Sequence, residues 1–171
     1  TLPGGEIFQA LQAGTIDAGD FIGPWNDFAF GFHQVAKNYY YPGVGEPSSA
    51  EEIVMNVAAY DALPDDLKEI IKTVAMSASE ETTTAYDINH AKTLKVLVNE
   101  HGVNLLKVPD EILEGLQAAT QDMVKDLLND ADPMIAKVMA SYATFRNQTA
   151  DYARYSYAAQ MNARTQPFPE A

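Results

Sequence analysis

The sequence predicts an α/β protein dominated by helices, with few strands and a long helix near its C-terminal end. Two observations carry this. Apolar residues recur every three or four positions over long stretches after Pro64, Asp110 and Pro133. Only three short stretches read as strands, and they are too few and too far apart to close a sheet of their own. Two architectures remain open: a helical protein with incidental strands, or part of an α/β protein whose other strands lie elsewhere.

Taken in order, Gly4 to Gly14 reads as a short helix with Ile7, Ala10 and Leu11 on one face and a glycine where it stops. A brief extended segment, Asp20 to Ile22, ends at Gly23-Pro24. Trp25 to Tyr41, with Phe28, Phe32 and Val35 at helical spacing, reads as a second helix closed by Pro42-Gly43. Val44 to Ser49 is a Gly/Pro-rich loop, and Glu52 to Asn56 is apolar enough for a buried strand. Tyr60 to Pro64 suits a turn of helix. From Asp65 or Asp66, Leu67, Ile70, Ile71, Val74 and Ala78 make an apolar stripe that resumes at Ala85, Ile88, Ala91 and Leu94. No Gly or Pro lies between Pro64 and Gly102. An unbroken helix there would run about 36 residues and roughly 54 Å, with the polar span Ser77 to Thr84 either a break or an exposed stretch. Val103 to Val108 reads as a strand. Asp110-Glu111 open an amphipathic helix whose acidic first turn complements the macrodipole. A last helix runs from Pro133 to Arg164.

The 171 residues, 47% hydrophobic, suffice for one folded domain. Against 11 basic residues stand 24 acidic ones, a net charge of −13 that argues against nucleic acid and anionic membranes as partners. Without cysteine there is no thiolate catalysis, disulfide framework or cysteine zinc site. No apolar run approaches the roughly 18 to 20 residues of a membrane span. The chain opens at Thr1 with no charged-then-apolar signal segment, so a mature chain or a piece of a longer one is expected.

Phosphate-binding glycine motifs and the paired-histidine zinc motif are absent. His33, His90 and His101 have no ligand partner four residues on and read as structural or surface residues. The stretch from Asp17 to Glu46 is more informative. Asp20 and Glu46 sit beside Gly/Pro turns, flanked by Phe21, Trp25 and Tyr39-Tyr40-Tyr41. Carboxylates on turns, next to backbone carbonyls, suit a hard cation such as Ca²⁺ or Na⁺. The plainer reading has Asp20 end a strand, Glu46 solvated and the aromatics in the core. Acid/base catalysis by the two carboxylates lacks an accompanying nucleophile or oxyanion element. Along the last helix, Val138, Tyr142, Phe145 and Tyr152 form a stripe that either packs within the chain or meets another chain, with Arg146, Arg154 and Arg164 beside it.

The segments Leu2-Pro3-Gly4-Gly5-Glu6-Ile7-Phe8-Gln9-Ala10-Leu11-Gln12, Gly14-Thr15-Ile16-Asp17-Ala18, Gly23-Pro24-Trp25-Asn26-Asp27 and Tyr39-Tyr40-Tyr41-Pro42-Gly43 with Glu46-Pro47 carry a resemblance. Together they closely resemble the substrate-binding proteins of TRAP transporters, the DctP family, and within it the branch that binds 2-oxo acids and related monocarboxylates. The resemblance implies a periplasmic-binding-protein type II-like α/β fold, of which this chain would be the helix-rich C-terminal half. It implies a periplasmic receptor, not an enzyme, that hands a small organic acid to membrane-embedded transporter subunits. In that branch a cation also binds the substrate carboxylate. Its ligands match Asp20, Phe21 through its backbone carbonyl, and Glu46, and Phe21, Trp25 and Glu46 are expected on the substrate side. The branch often has Glu-Trp where this chain has Asp20-Phe21, and its substrate-pairing arginine and metal-binding amide lie upstream in the resemblance. Related proteins dimerise by exchanging a long terminal helix, which makes Pro133 to Arg164 the candidate homodimer element. The helix from Asp65 is the candidate to span both lobes. The alternative from another class is a helical interaction or scaffolding module in which the same residues only pack.

Overall fold

Helix α1, Gly4–Gln12, buries Ile7 and half-buries Ala10 and Leu11 on the same face. It stops at the expected glycine: Gly14 takes φ +67°, and the Thr15 N–H returns to the Ala10 carbonyl at 2.9 Å. The computed structural model describes residues 1–43, 45 and 52–165. They divide into two units, Thr1–Val108 and Pro109–Ala171.

The first unit departs from the predicted elements in three places. Asp20 to Ile22 forms no strand, because extended backbone needs a partner ladder and none of the described strands pairs with it. The helix expected over Trp25 to Tyr41 is three pieces: α2, Pro24–Ala29; a 3₁₀ turn, Phe32–Gln34; and strand β1, Asn38–Tyr41. Gly31 sits at φ +78°, a conformation a continuing helix cannot contain, and the tyrosines beyond it favour a pleated surface. Glu52 to Asn56 is likewise no strand. Asn56 instead caps α3, Val57–Asp61, its side chain accepting the Ala59 N–H at 3.1 Å.

Helix α4 runs unbroken over Asp65–Asn99, 35 residues and about 52 Å, so the polar middle is an exposed stretch and not a break. Asp65 and Asp66 occupy its first turn, and Gly102 at φ +64° follows its end. In its first half Leu67, Ile70 and Val74 are exposed, whereas the second half packs against α2 and buries Leu97. Strand β2, Asn104–Lys107, forms as predicted and pairs in parallel with β1, from Asn38 opposite Asn104 to Tyr41 opposite Lys107. The Asn104 N–H to Lys37 carbonyl and Val108 N–H to Tyr41 carbonyl bonds, both 2.8 Å, extend the ladder at its ends. The crossover through α3 and α4 is the long connection that parallel strands require.

In the second unit, α5 (Asp110–Leu128) packs against α6 (Pro133–Ala153). Asp132 caps α6 by accepting the Met134 N–H at 2.8 Å, and Pro133 occupies the first turn, where its missing N–H costs nothing. The helical path continues through a π-helical segment, Arg154–Ala158, into α7, Ala159–Arg164, which gives the predicted long C-terminal helix. Tyr142, Phe145, Tyr152, Tyr155 and Tyr157 are exposed along it. Among the described residues no helix is long and apolar enough to cross a membrane.

Leu97 is 2% exposed. Its truncation to alanine is expected to destabilise the protein by about 2–4 kcal/mol. Urea unfolding measures this, and a loss below about 1 kcal/mol would show that α4 is not anchored through this side chain.

Candidate functional site

Asp20 and Phe21 lie in the irregular segment between α1 and α2. The Phe21 ring packs over Gly4 of α1, where a Cβ would meet it at 2.9 Å. It stands edge-on to Phe30 and Phe32, with ring centroids 4.9 and 5.3 Å away. With its ring committed to these neighbours, the residue has its backbone carbonyl left to offer a cation. Asp20 is exposed, and its Oδ2 lies so close to Gly45 that a Cβ there would collide with it. The chain leading to Glu46 therefore passes directly against the Asp20 carboxylate, an approach open only to a residue without a side chain. Glu46 itself, like most of the predicted loop Val44 to Ser49, lies outside the described residues. An open cavity of about 510 Å³ is lined by Asp20 and Phe21 with Leu2, Ile7, Ile16 and Ile22. Trp25 is not in its wall.

Trp25 opens α2 and is held by α4. Its backbone N–H donates to His90 Nδ1 at 3.1 Å, and its ring stands edge-on to Tyr86 at 5.4 Å. The acceptor role of Nδ1 places the proton of the neutral ring on Nε2. The contact needs Gly23, where a Cβ would come within 2.8 Å of His90 Cε1. The rings of the other two histidines meet at 4.5 Å, tilted by 57°, while His33 stacks on Phe28; these contacts join the 3₁₀ turn to the segment just after α4.

Sequence reasoning missed Asp27. It is 9% exposed, and its Oδ2 accepts the Tyr39 hydroxyl at 2.6 Å while Oδ1 accepts the Gly23 N–H at 3.2 Å. Burial pushes its carboxyl above the ordinary 3.8, against the opposing pull of the Tyr39 hydrogen bond, the Gly23 and Ile22 backbone N–H groups and His90. Tyr39 is pushed well above its ordinary 10.0 by burial, then by its bond to Asp27, then by the Asp27 and Asp20 charges. No sequence pattern marks this pair, because the partners lie twelve residues apart on different elements.

As donors, the Asp20 carboxylate and the Phe21 backbone carbonyl are of the oxygen type that a hard cation prefers. Among the described residues no three His, Asp or Glu side chains converge on one point.

The profile of the bacterial extracellular solute-binding protein family 7, DctP, matches residues 1–130. The chain belongs to this family of TRAP periplasmic solute-binding proteins, which is not catalytic. It is 33% identical over 147 residues to a monocarboxylate 2-oxoacid-binding periplasmic protein of Nostoc sp. (strain PCC 7120), a match covering 86% of this chain and 40% of that one. Among solved structures it is similar to a TRAP periplasmic solute-binding protein of Pseudoalteromonas atlantica with bound sodium and pyruvate. There the TM-score is 0.85 and the identity 27%, over 95% of this chain and 49% of the other. A Colwellia psychrerythraea protein with bound calcium and pyruvate gives TM-score 0.83 and 28% identity, over 95% and 49%. One from Bordetella bronchiseptica, a mixed-occupancy dimer with calcium and picolinate bound at one site, gives 0.84 and 27%, over 96% and 48%. The chain thus spans about half the length of these structures. The predicted α/β fold, helix-rich with few strands, agrees with this match, which weighs against the scaffolding alternative.

Because the folded state holds the Asp27 proton more tightly than an unfolded chain would, the stability contributed by Asp27 falls as pH rises from 3.8 through its raised folded value. A carbon-13 NMR titration of this carboxyl is expected to give a midpoint above 3.8. Asp27→Asn should remove that decline from the stability profile, and a midpoint at or below 3.8 would contradict the dominance of burial.

Proposed function

We propose that this chain is the C-terminal half of a two-lobe TRAP receptor that captures a 2-oxo acid or related small carboxylate with a bound cation and delivers it to the membrane-embedded transporter subunits. The observation that carries this is the close passage of Gly45, the residue before Glu46 in the sequence, against the Asp20 carboxylate. A chain of net charge −13 that takes an anionic solute needs a local positive centre. Asp20, Glu46 and the Phe21 carbonyl would hold Ca²⁺ or Na⁺, which supplies that charge to the solute carboxylate. Trp25, 38% exposed, and Phe21 are assigned to the solute side. Relatives described with sodium or calcium and pyruvate support the assignment of both cation and solute class. Calorimetry with pyruvate on the full-length protein, in Na⁺ or Ca²⁺, is expected to show about a 100-fold or greater loss of affinity for Asp20→Ala and for Glu46→Ala. Unchanged affinity in both variants would remove the site.

Closure of the lobes on the solute would bend the chain at a hinge, and α4 is the element assigned to span both lobes. Its exposed Leu67, Ile70 and Val74 supply an apolar face for the second lobe. The long helix Pro133 to Arg164 is assigned to a homodimer, a role supported by its exposed aromatic stripe and by the dimer described for the Bordetella relative. Sedimentation velocity on the full-length protein should show a dimer that becomes a monomer on combined Tyr142→Asp and Phe145→Asp substitution. A sedimentation coefficient unmoved by that change would exclude this helix from the interface.

A further inference from the structure

We infer that His90 of α4 is a positioning residue for Trp25: it caps the first turn of α2 from a neighbouring helix and so fixes where the Trp25 ring stands. The inference rests on the assignment of Trp25 to the solute side and concerns a residue outside that assignment.

The start of α2 has donors and no cap of its own. Its N-cap residue is Gly23, which brings no side chain to the turn. Pro24 follows at the first helical position without an N–H, so Trp25 carries the first N–H of the helix, one that no carbonyl within α2 can accept. His90 Nδ1 accepts it at 3.1 Å, from 65 positions further along the chain. The missing cap is therefore supplied by α4, and the first turn of α2 takes its position from that helix. Asp27, from within α2, holds the preceding residue, its Oδ1 accepting the Gly23 N–H at 3.2 Å.

The imidazole is closely seated, since its Cε1 comes within 2.8 Å of where a Gly23 Cβ would stand. Tyr86, one helical turn before His90, is edge-on both to the Trp25 ring at 5.4 Å and to the His90 ring at 5.2 Å. Trp25 is thus held twice from one face of α4, its backbone by His90 and its ring by Tyr86, while the residue stays 38% exposed. A ring fixed in this way presents its open surface in one orientation, so little ordering remains to oppose a solute that settles on it. Without the imidazole acceptor the Trp25 N–H turns to water, and α2 is free to shift at the end that carries the ring.

The test is a pair of substitutions in the full-length protein, read by calorimetry with pyruvate in Ca²⁺. His90→Leu keeps a side chain of similar bulk and removes the acceptor, whereas His90→Asn loses the ring and keeps an oxygen at the place of Nδ1. Affinity is expected to fall about fivefold in His90→Leu and to stay within about twofold of the unaltered protein in His90→Asn. A merely structural role gives the opposite order, because leucine is the better helix former. Trp25→Ala is expected to weaken pyruvate binding about 10-fold, and in that background His90→Leu should cost less than about twofold more, since it acts through Trp25. Independently of any substitution, nitrogen-15 NMR at about pH 8 should show a coupling across the hydrogen bond from the Trp25 amide to His90 Nδ1. Absence of that coupling overturns the cap. Unchanged affinity in His90→Leu, or an equal loss in His90→Asn or in the Trp25→Ala background, overturns the positioning role and leaves Trp25 on the solute side. Unchanged affinity in Trp25→Ala overturns both.

Discussion

The first unit is built on the second half of α4, because little else in it is buried deeply enough to hold a shape. Among the described residues the buried hydrophobic side chains are Ile7, Leu97 and Val103, one from α1, one from α4 and one just before β2. So thin a core supplies limited hydrophobic stabilisation, and placement of the remaining elements falls to specific contacts along one helix face. Tyr86, His90, Leu97 and His101 meet the ring of Trp25, the backbone of Gly23 and Trp25, the core and the Phe28–His33 stack in turn. Tyr86, His90 and Leu97, four and seven residues apart, share one face of α4, and His101 lies just past its end. A break in α4 would separate α2 from the strand pair, and with them the two arms of the candidate site.

Electrostatics then explains why such a site would be assembled from separate arms. An isolated buried carboxylate is unfavourable, and two facing carboxylates repel unless a cation or proton lies between them. Asp27 shows one resolution: it is buried with a hydroxyl donor and a backbone N–H donor, and burial still raises its carboxyl above the ordinary 3.8. Asp20 shows the other, since it remains exposed beside Gly45. The two acids stand only seven residues apart, yet one is consumed by structure and the other is free to take a ligand.

Periodicity made the helices legible and failed where the signal was aromatic. The apolar repeat after Asp65, with no Gly or Pro to interrupt it, defines α4, and the acidic start at Asp110 and the Asp132-Pro133 pair mark α5 and α6. Phe28, Phe32 and Val35 imitate a helix face while Gly31 breaks the path between them, and the tyrosine run is the partner that β2 needs. The apolar stretches at Asp20 to Ile22 and Glu52 to Asn56 have strand composition, but a strand is defined by its neighbour, which composition does not contain. The same limit hid Asp27. A carboxylate two residues after a tryptophan looks like a solvated first-turn acid, and only the fold shows Tyr39 arriving from another element. Asp20 and Phe21 were singled out by their turn chemistry and the family resemblance, neither of which requires knowledge of the fold.

The surfaces left open bear on the two-lobe proposal. Parallel strands are ordinarily covered on both faces, yet β2 is exposed along its length and its sheet has two strands. Leu67, Ile70 and Val74 face outward from the half of α4 that does not meet α2, and the aromatic stripe does so along the terminal helix. Apolar area of this kind is stable in water only in small patches. A second lobe would cover the first two surfaces and a second copy the third. The demand comes from distinct elements in both units. A receptor in which α4 reaches across two lobes accounts for why one long helix should be packed at one end and bare at the other.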